Sequence, residues 1–253
     1  MPTKIRVMPT LLFKDIGLVK GVCFDSWRRV GSAMQAVKVY NMREVDELVF
    51  LDITATREFR GPDYDTVDEL ADECFMPMAV GGGIRDIGDV RRLLQVGADK
   101  VVINTAAVEV PDLICEIAKR FGSQCVVVSI DAKETDAGDL MVYTRSGTTP
   151  TGIHPIELAK KAEMLGAGEI LITSIDRDGT QSGYDIELTR MVSEAVSIPV
   201  IASGGAGSYT DMAVVLTETR VSAVAAASIF HFTQQTPLEA KHYLRDHGFR
   251  VRI

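Results

Sequence analysis

The residue best suited to chemistry stands at the end of an apolar run: Asp131 closes the segment CVVVSID. A carboxylate in such a position can exchange protons as a general acid or base, which typically changes a rate by about 10²–10⁴. The alternative is a structural aspartate bonded to a loop amide or to Lys133. We favour the catalytic interpretation, because polar residues at the carboxyl ends of parallel strands commonly lie at active sites.

The chain contains this region twice, and the two copies differ at the carboxylate. The segments ELVFLDIT and EILITSID begin 122 residues apart, as do Gly82-Gly83 and Gly204-Gly205. Earlier in each copy the spacing is 119, which sets Leu12 opposite Asp131. One copy therefore lacks the acid that the other retains.

Glycine-containing turns in both copies are candidate anion sites. Gly81–Gly83 and Ser203–Gly205 each follow an apolar run and precede a helical pattern. Glycine lets the backbone approach an anion closely, and the helix behind it supplies N–H donors. Tight turns without a ligand are the alternative for either pair. Because equivalent sites suit a substrate with a phosphate at each end, we favour two phosphate sites. Their candidate residues are Gly83, Asn104 and Thr105 on one side, and Asp178, Gly179, Gly205 and Ser228 on the other.

Five further charged residues leave their roles open. Arg6, Glu47, Lys100 and Glu169 each begin an apolar run, so they either point into solvent or converge as a paired ring. Lys20, in the segment after the first run, is either a residue that closes over a phosphate or an ordinary surface lysine.

The elements that position these residues alternate between strand and helix. The apolar runs lie at 5–13, 47–54, 76–81, 100–104, 125–132, 169–175, 198–203 and 221–228. Their β-branched composition fits parallel strands covered on both faces. Helix-start signals at Asp86 and Pro111 and stop signals at Gly97 and Gly122 bound two of the helices between them. This order predicts one α/β domain, a (βα)₈ TIM barrel of two half-barrels at about 1–122 and 123–253, ahead of an open doubly wound sheet. The stretches 17–31, 55–65, 134–152 and 176–184 are expected to be irregular loops on the catalytic face.

Composition excludes several classes of function. The 253 residues carry a net charge of −8 without a long basic run, which argues against nucleic acid. No apolar segment is long enough to span a membrane, and the N-terminus lacks a signal peptide pattern. Four cysteines without CxxC spacing and four scattered histidines predict a cytoplasmic protein with no metal site and no cofactor.

These motifs together resemble HisF, the cyclase subunit of imidazole glycerol phosphate synthase. The similarity covers essentially the whole chain. Its most specific segments are DELVFLDITA, VGGGIRD, GADKVVINTAAV, FGSQCVVVSIDAK, GAGEILITSIDRDGTQSGYD, IPVIASGGAG and AASIFHF. The sister isomerase family, HisA, shares the duplication and both phosphate sites, but FGSQ, SIDAK and LDITA fit HisF better.

The resemblance implies roles for particular residues. Asp131 matches one of the two catalytic aspartates of HisF, and Leu12 occupies the position of the other. Arg6, Glu47, Lys100 and Glu169 match the family's gate, through which HisF receives ammonia from a docked glutaminase, HisH. Asp99 matches a residue of that docking surface, Lys20 matches a mobile-loop lysine, and the glycine turns match the sites of a phosphorylated small-molecule ligand.

Because Leu12 stands where HisF has a catalytic aspartate, three functions are considered. Together with KDIGLVKG, NMREVDELVF and DECFMP, it resembles HisF-like paralogues called WbuZ or glycosyl amidation-associated proteins. These are thought to pair as a heterodimer with a HisH-like glutaminase and to pass ammonia to an amidotransferase acting on a surface-polysaccharide sugar. The second hypothesis is a true cyclase in which Asp15 or Asp52 replaces the lost acid. The third is a non-catalytic activator of the glutaminase.

Overall fold

The computed structural model describes residues 4–15 and 17–253. Within these residues the strands, in chain order, are β1 (Arg6–Lys14), β2 (Gly17–Val22), β3 (Asp25–Gly31), β4 (Leu48–Asp52), β5 (Met78–Gly81), β6 (Lys100–Ile103), β7 (Val126–Glu134), β8 (Leu140–Thr144), β9 (Thr149–Pro150), β10 (Glu169–Ser174), β11 (Val200–Ser203) and β12 (Ala223–Ala226).

Eight of these strands close into a parallel barrel. Its neighbours follow the order β1, β4, β5, β6, β7, β10, β11 and β12, and β12 pairs with β1 to complete the ring. The predicted (βα)₈ barrel is therefore confirmed, and the open doubly wound sheet is excluded. Each predicted apolar run coincides with one barrel strand to within about three residues at either end.

Helices cover the outside of the barrel. They are α1 (Ala33–Met42), α2 (Tyr64–Glu73), α3 (Ile87–Gln95), α4 (Thr105–Glu109), α5 (Asp112–Phe121), α6 (Pro155–Leu165), α7 (Ile186–Ala195), α8 (Tyr209–Glu218), α9 (Ser228–Phe232) and α10 (Pro237–Asp246). The predicted start of α3 is confirmed, because the Asp86 carboxylate accepts hydrogen bonds from the Gly88 and Asp89 amides. In the described residues, no helix is both long and apolar enough to cross a bilayer.

Two hairpins correct the prediction of irregular loops. The stretches 17–31 and 134–152 contain β2–β3 and β8–β9, respectively. β1 and β7 each run for nine residues, beyond the barrel wall, and their free ends pair antiparallel with β2 and β8. The free backbone groups of these long strands form hydrogen bonds with β2 and β8. This pairing explains why the hairpins form although their own sequences alternate poorly between apolar and polar residues.

The barrel interior is packed with side chains. One layer of buried residues fills it between the two ends: Met8, Val49, Ala79, Val102, Val127, Leu171, Ile201, Ala223 and Ala225. Burying a larger aliphatic side chain of this kind contributes roughly 1.5–3 kcal/mol. The layer separates the open end of the barrel, where the strands finish, from the opposite end, where they begin.

Candidate functional site

A cavity opens at the carboxyl ends of the barrel strands. The space between its atoms is about 1160 Å³, a figure that includes open solvent at the mouth. Its walls bring together Leu12 and the residues predicted as catalytic or phosphate-binding: Lys20, Gly83, Asn104, Thr105, Asp131, Asp178, Gly179, Gly205 and Ser228.

Asp131 is buried in the cavity wall near the end of the barrel part of β7. The Ser129 hydroxyl donates a hydrogen bond to its Oδ1 at 3.2 Å, whereas Lys133 is exposed. Burial raises the pKa of Asp131 to about 7, and the negative charge of Asp178 acts in the same direction. Hydrogen bonds from Ser129 and Thr173 oppose this rise. A carboxyl group that titrates near neutrality can both give and take a proton at physiological pH.

Leu12 lies at the equivalent place on β1. It is paired with Leu51 of β4, just as Asp131 is paired with Thr173 of β10. Both polar residues of the second half are thus leucines in the first. At this level, the cavity wall formed by the second half carries a carboxyl group, whereas the wall formed by the first half is apolar.

Thr10 lies close to Leu12 on β1. Its Oγ1 is buried in the cavity wall and has no hydrogen-bond partner among the described residues. Thr10 is the counterpart of Ser129, 119 residues away, and the Ser129 hydroxyl donates to Asp131. Leu12 offers no acceptor where the second half offers a carboxylate. The donor–acceptor pair of the second half therefore has no equivalent at this place in the first half.

Asp52 and Asp15, the two candidates for a substitute acid, differ in their bonding and position. The Asp52 carboxylate accepts bonds from the Thr54 and Ala55 amides at 3.0 Å and from the Arg60 guanidinium at 2.7 Å. These contacts hold the loop after β4 and occupy both oxygens. Asp15 is exposed and lies in a separate surface depression with Arg60, outside the cavity.

The β2–β3 hairpin is folded against the cavity. Lys20 is only 2% exposed, and its Nζ lies 2.5 Å from Asp178 Oδ2. The Cys23 amide also donates to the Asp178 carbonyl at 2.7 Å. Gly179 has a φ of +76°, and a side chain there would collide with the Gly21 carbonyl. Lys20 is therefore not the surface lysine that the sequence left possible.

The tip of the β8–β9 hairpin covers the side of the cavity that is formed by the first half-barrel. The sequence did not indicate this contact. The Ser146 hydroxyl donates to the Ile53 carbonyl at 2.5 Å. The Arg145 amide donates to Thr105 Oγ1 at 3.1 Å, and the Asn104 side chain is bonded to the Ser129 and Tyr143 carbonyls. The polar side chains on this side are thus engaged within the protein.

A closed ring of ion pairs lies at the other end of the barrel. Arg6 contacts Glu47 at 2.7 Å and Glu169 at 2.6 Å, and Lys100 contacts the same two carboxylates at 2.7 and 2.8 Å. Burial opposes the ionisation of Glu169, but the bonds and charges of Arg6 and Lys100 outweigh it and lower its pKa. Of the two arrangements left open by the sequence, the structure has the paired ring.

Apolar side chains are exposed near this ring. Phe75 is 84% exposed and Met42 is 72% exposed, at the ends of the helices that lead into β5 and β4. The Asn41 side chain joins these helix ends by bonding the Glu73 carbonyl and the Phe75 amide. Asp99 is exposed at the start of β6, and its carboxylate accepts from the Met78 amide at 2.8 Å.

In residues 4–15 and 17–253, no group of three or more His, Cys, Asp or Glu side chains is placed so that it could hold a metal ion. The family model described as "Histidine biosynthesis protein" matches residues 6–236. This range extends from Arg6 of the ring to Ser228 of the cavity and beyond. With nearly the whole sequence matched and the barrel closed, the chain belongs to the histidine biosynthesis protein family.

Proposed function

We propose that this chain is the ammonia-receiving, HisF-like subunit of a glutamine-dependent amidotransferase and is not an efficient cyclase. One contrast carries the proposal: the ring at the amino-terminal end is complete, whereas Leu12 removes one of two carboxylates at the carboxyl-terminal end.

The cavity end argues against the cyclase reaction. A leucine cannot move a proton, and Leu51 beside it cannot do so either. Asp52 is held by Arg60 and two amides, and Asp178 is paired with Lys20, which leaves Asp131 as the one carboxyl group of the described cavity lining without a cationic partner. Loss of one positioned acid or base costs roughly 10²–10⁴ in rate. The alternative of a working cyclase rests on Asp131, whose pKa of about 7 suits general acid–base chemistry.

The ring end suits the passage of a small neutral molecule. Its four side chains neutralise one another, so an ammonia molecule would meet no net charge there. Next to the ring, the packed layer contains the small residues Ala79 and Ala223, which pair in register with Lys100 and Arg6, together with larger ones such as Met8 and Leu171. Rearrangement of the Lys100 side chain would break two of the four ion pairs and open the centre.

The partner is proposed to be a HisH-like glutaminase docked over the ring, giving a heterodimer. Exposed Phe75 and Met42 offer apolar contacts, and exposed Asp99 offers a charge beside the opening. The nitrogen acceptor is proposed to be the sugar substrate of a separate surface-polysaccharide amidotransferase, because of the resemblance to the WbuZ proteins.

The first experiment measures turnover of the cyclase substrate with saturating ammonium, in the wild type and in Leu12→Asp. Ammonium removes the need for a glutaminase, so the assay reports the barrel chemistry alone. We expect no turnover in the wild type, with activity appearing in Leu12→Asp. Wild-type turnover at ordinary enzyme rates would refute the proposal in favour of the cyclase.

A second experiment separates ammonia transfer from simple activation of the partner. The chain is mixed with the glutaminase and the sugar amidotransferase, and glutamate and amidated sugar are measured separately. Lys100→Met should lower amidated sugar per glutamate, because it removes two of the four ion pairs and leaves an opening that no longer closes to retain ammonia. Lys38→Met, which breaks the exposed Lys38–Glu73 pair, is the matched control and should leave the ratio unchanged. An unchanged ratio in Lys100→Met would indicate an activator instead.

A further inference from the structure

We infer that ammonia crosses the packed layer off-centre, between β1 and β12, and is received at the floor of the cavity by the Thr10 hydroxyl, with the Met8 side chain closing the route. The inference rests on the proposed function and deepens it, because passage through the ring does not determine which way the molecule continues. Side-chain size, flexibility and hydrogen bonding along these two strands support it.

Small side chains lead along β12 from the ring to the cavity. Ala223 pairs in register with Arg6, and Ala225 belongs both to the packed layer and to the cavity lining. Alternate residues of a strand point to the same face, so both methyl groups face the barrel interior. The strands β7 and β10, across the barrel, contribute the larger Val127 and Leu171 to the layer.

A second line of small residues, on β5, is closed. Ala79 and Gly81 are the alternate residues of that strand. A Cβ placed on Gly81 would lie 2.8 Å from a methyl carbon of Leu51 and 2.9 Å from the Cβ of Val102. These side chains already occupy the space above Ala79, so β12 offers the more open side of the layer.

Met8 fills the space beside the alanines of β12. It is fully buried and pairs in register with Ala225. Its counterpart in the second half, 119 residues later, is Val127. Valine is branched at Cβ and stiff at χ1, whereas methionine has an unbranched chain that adapts to irregular spaces. Rotation of the Met8 side chain therefore opens the path beside Ala225 without a movement of the backbone.

Thr10 is the next inward-facing residue of β1 after Met8. It is 8% exposed, and its Oγ1 is closed to solvent and has no hydrogen-bond partner among the described residues. Met8 and Leu12 on the same face, and Val49 opposite on β4, have no side-chain acceptor. Native proteins rarely leave a buried hydroxyl unpaired, and a small molecule missing from the structure is a common reason.

Ammonia suits this hydroxyl better than a charged ligand does. Its single lone pair can accept a hydrogen bond from Thr10 Oγ1. The surrounding side chains are apolar, and burying an unpaired ammonium ion among them would be costly, so they favour the neutral molecule. Thr10 thus holds ammonia in the unprotonated form that a later amidation requires.

The first test needs no partner protein. The methyl groups of methionine, alanine and threonine are labelled with ¹³C in the full chain, and ammonium chloride is titrated at alkaline pH against a sodium chloride control. We expect saturable NMR shifts at Met8, Thr10 and Ala225, but not at Ala79. Read from the Ala225 methyl, Thr10→Val should weaken ammonia binding about five-fold, because one neutral hydrogen bond is lost, and Thr10→Ser should bind like the wild type.

The second test follows the route in the complex with the glutaminase and the sugar amidotransferase. Ala225→Val and Ala79→Val add the same volume to the layer on different strands, and circular dichroism establishes that both variants are folded. Ala225→Val should lower amidated sugar per glutamate well below the Ala79→Val value.

The inference would be overturned by the lack of a saturable shift, by equal binding in Thr10→Val, or by an equal response of the Ala79 methyl. Equal ratios in the two valine variants would also overturn it. If Lys100→Met lowered the ratio while those variants behaved alike, the proposed function would stand and the route would be wrong. If the methyl shifts appeared but Lys100→Met left the ratio unchanged, the proposed function would fail and the ammonia site at Thr10 would stand.

Discussion

Asp131 should lower the stability of the folded protein at neutral pH, and Asp131→Asn should relieve this effect. Burial raises the pKa of the carboxyl from an ordinary value of 3.8 to about 7. At about 1.4 kcal/mol for each pKa unit, ionised Asp131 costs the folded state about 4 kcal/mol above pH 7. Between pH 3.8 and 7 the folded state binds the proton more tightly than the unfolded state. Its contribution to stability therefore falls as pH rises through that window and is constant above it.

The assay is urea unfolding of wild type and Asp131→Asn, followed by circular dichroism and by the fluorescence of Trp27, the single tryptophan. The asparagine variant should be more stable at pH 8. Its advantage should shrink by about 2 kcal/mol at pH 5.5, where folded Asp131 is protonated.

Asp52→Asn is the matched control, because that buried carboxylate is bonded by Arg60 and by two amides. It should destabilise the protein at both pH values. If Asp131→Asn were also destabilising at pH 8, or if its effect did not change with pH, Asp131 would be a structural carboxylate. The catalytic interpretation of its position would then fail.

Two other predictions concern Thr10 and the ring. Thr10→Val should raise the free energy of unfolding by about 1 kcal/mol in the wild type, because it removes an unpaired buried hydroxyl, but should lower it in the Leu12→Asp background. Urea unfolding of the four proteins checks this, and the same sign in both backgrounds would contradict it. The pKa of Glu169 is lower in the folded than in the unfolded protein. Its ring contacts therefore stabilise the protein fully when the pH is above the unfolded-state pKa, and this stabilisation is lost as the pH falls through the folded-state pKa. Lys100→Met should therefore cost about 3 kcal/mol at pH 7 and clearly less at pH 4 by the same method, and equal losses would argue against a buried ion-pair ring.

The barrel itself was predictable from the sequence. Its strands are short apolar runs bounded by polar residues. Because they are buried on both faces, each can be recognised from its own composition, without knowing which strands it pairs with. The hairpins were not predictable in this way. The residues of β3, DSWRRVG, are largely exposed. Cys23, Phe24 and Ser26 adopt positive φ values, which are not expected for these residue types.

The candidate site was predictable in its position but not in its internal bonding. Strand ends and glycine turns identify Asp131 and Ser228. The burial of Lys20, however, depends on Asp178, 158 residues later, and no local pattern encodes that pair. Likewise, the Arg60 contact that occupies Asp52 depends on the path of a loop.

The ion-pair ring makes the two half-barrels chemically distinct components. The first half supplies Arg6, Glu47 and Lys100, a net charge of +1, and the second supplies Glu169 alone. The cations have no counterparts, because Cys125 and Ala223 stand at the equivalent positions of the second half. Two second halves would bring two carboxylates together without a cation, and two first halves would leave surplus positive charge. Charge at this end of the barrel therefore favours the pairing of one first half with one second half over the pairing of two like halves.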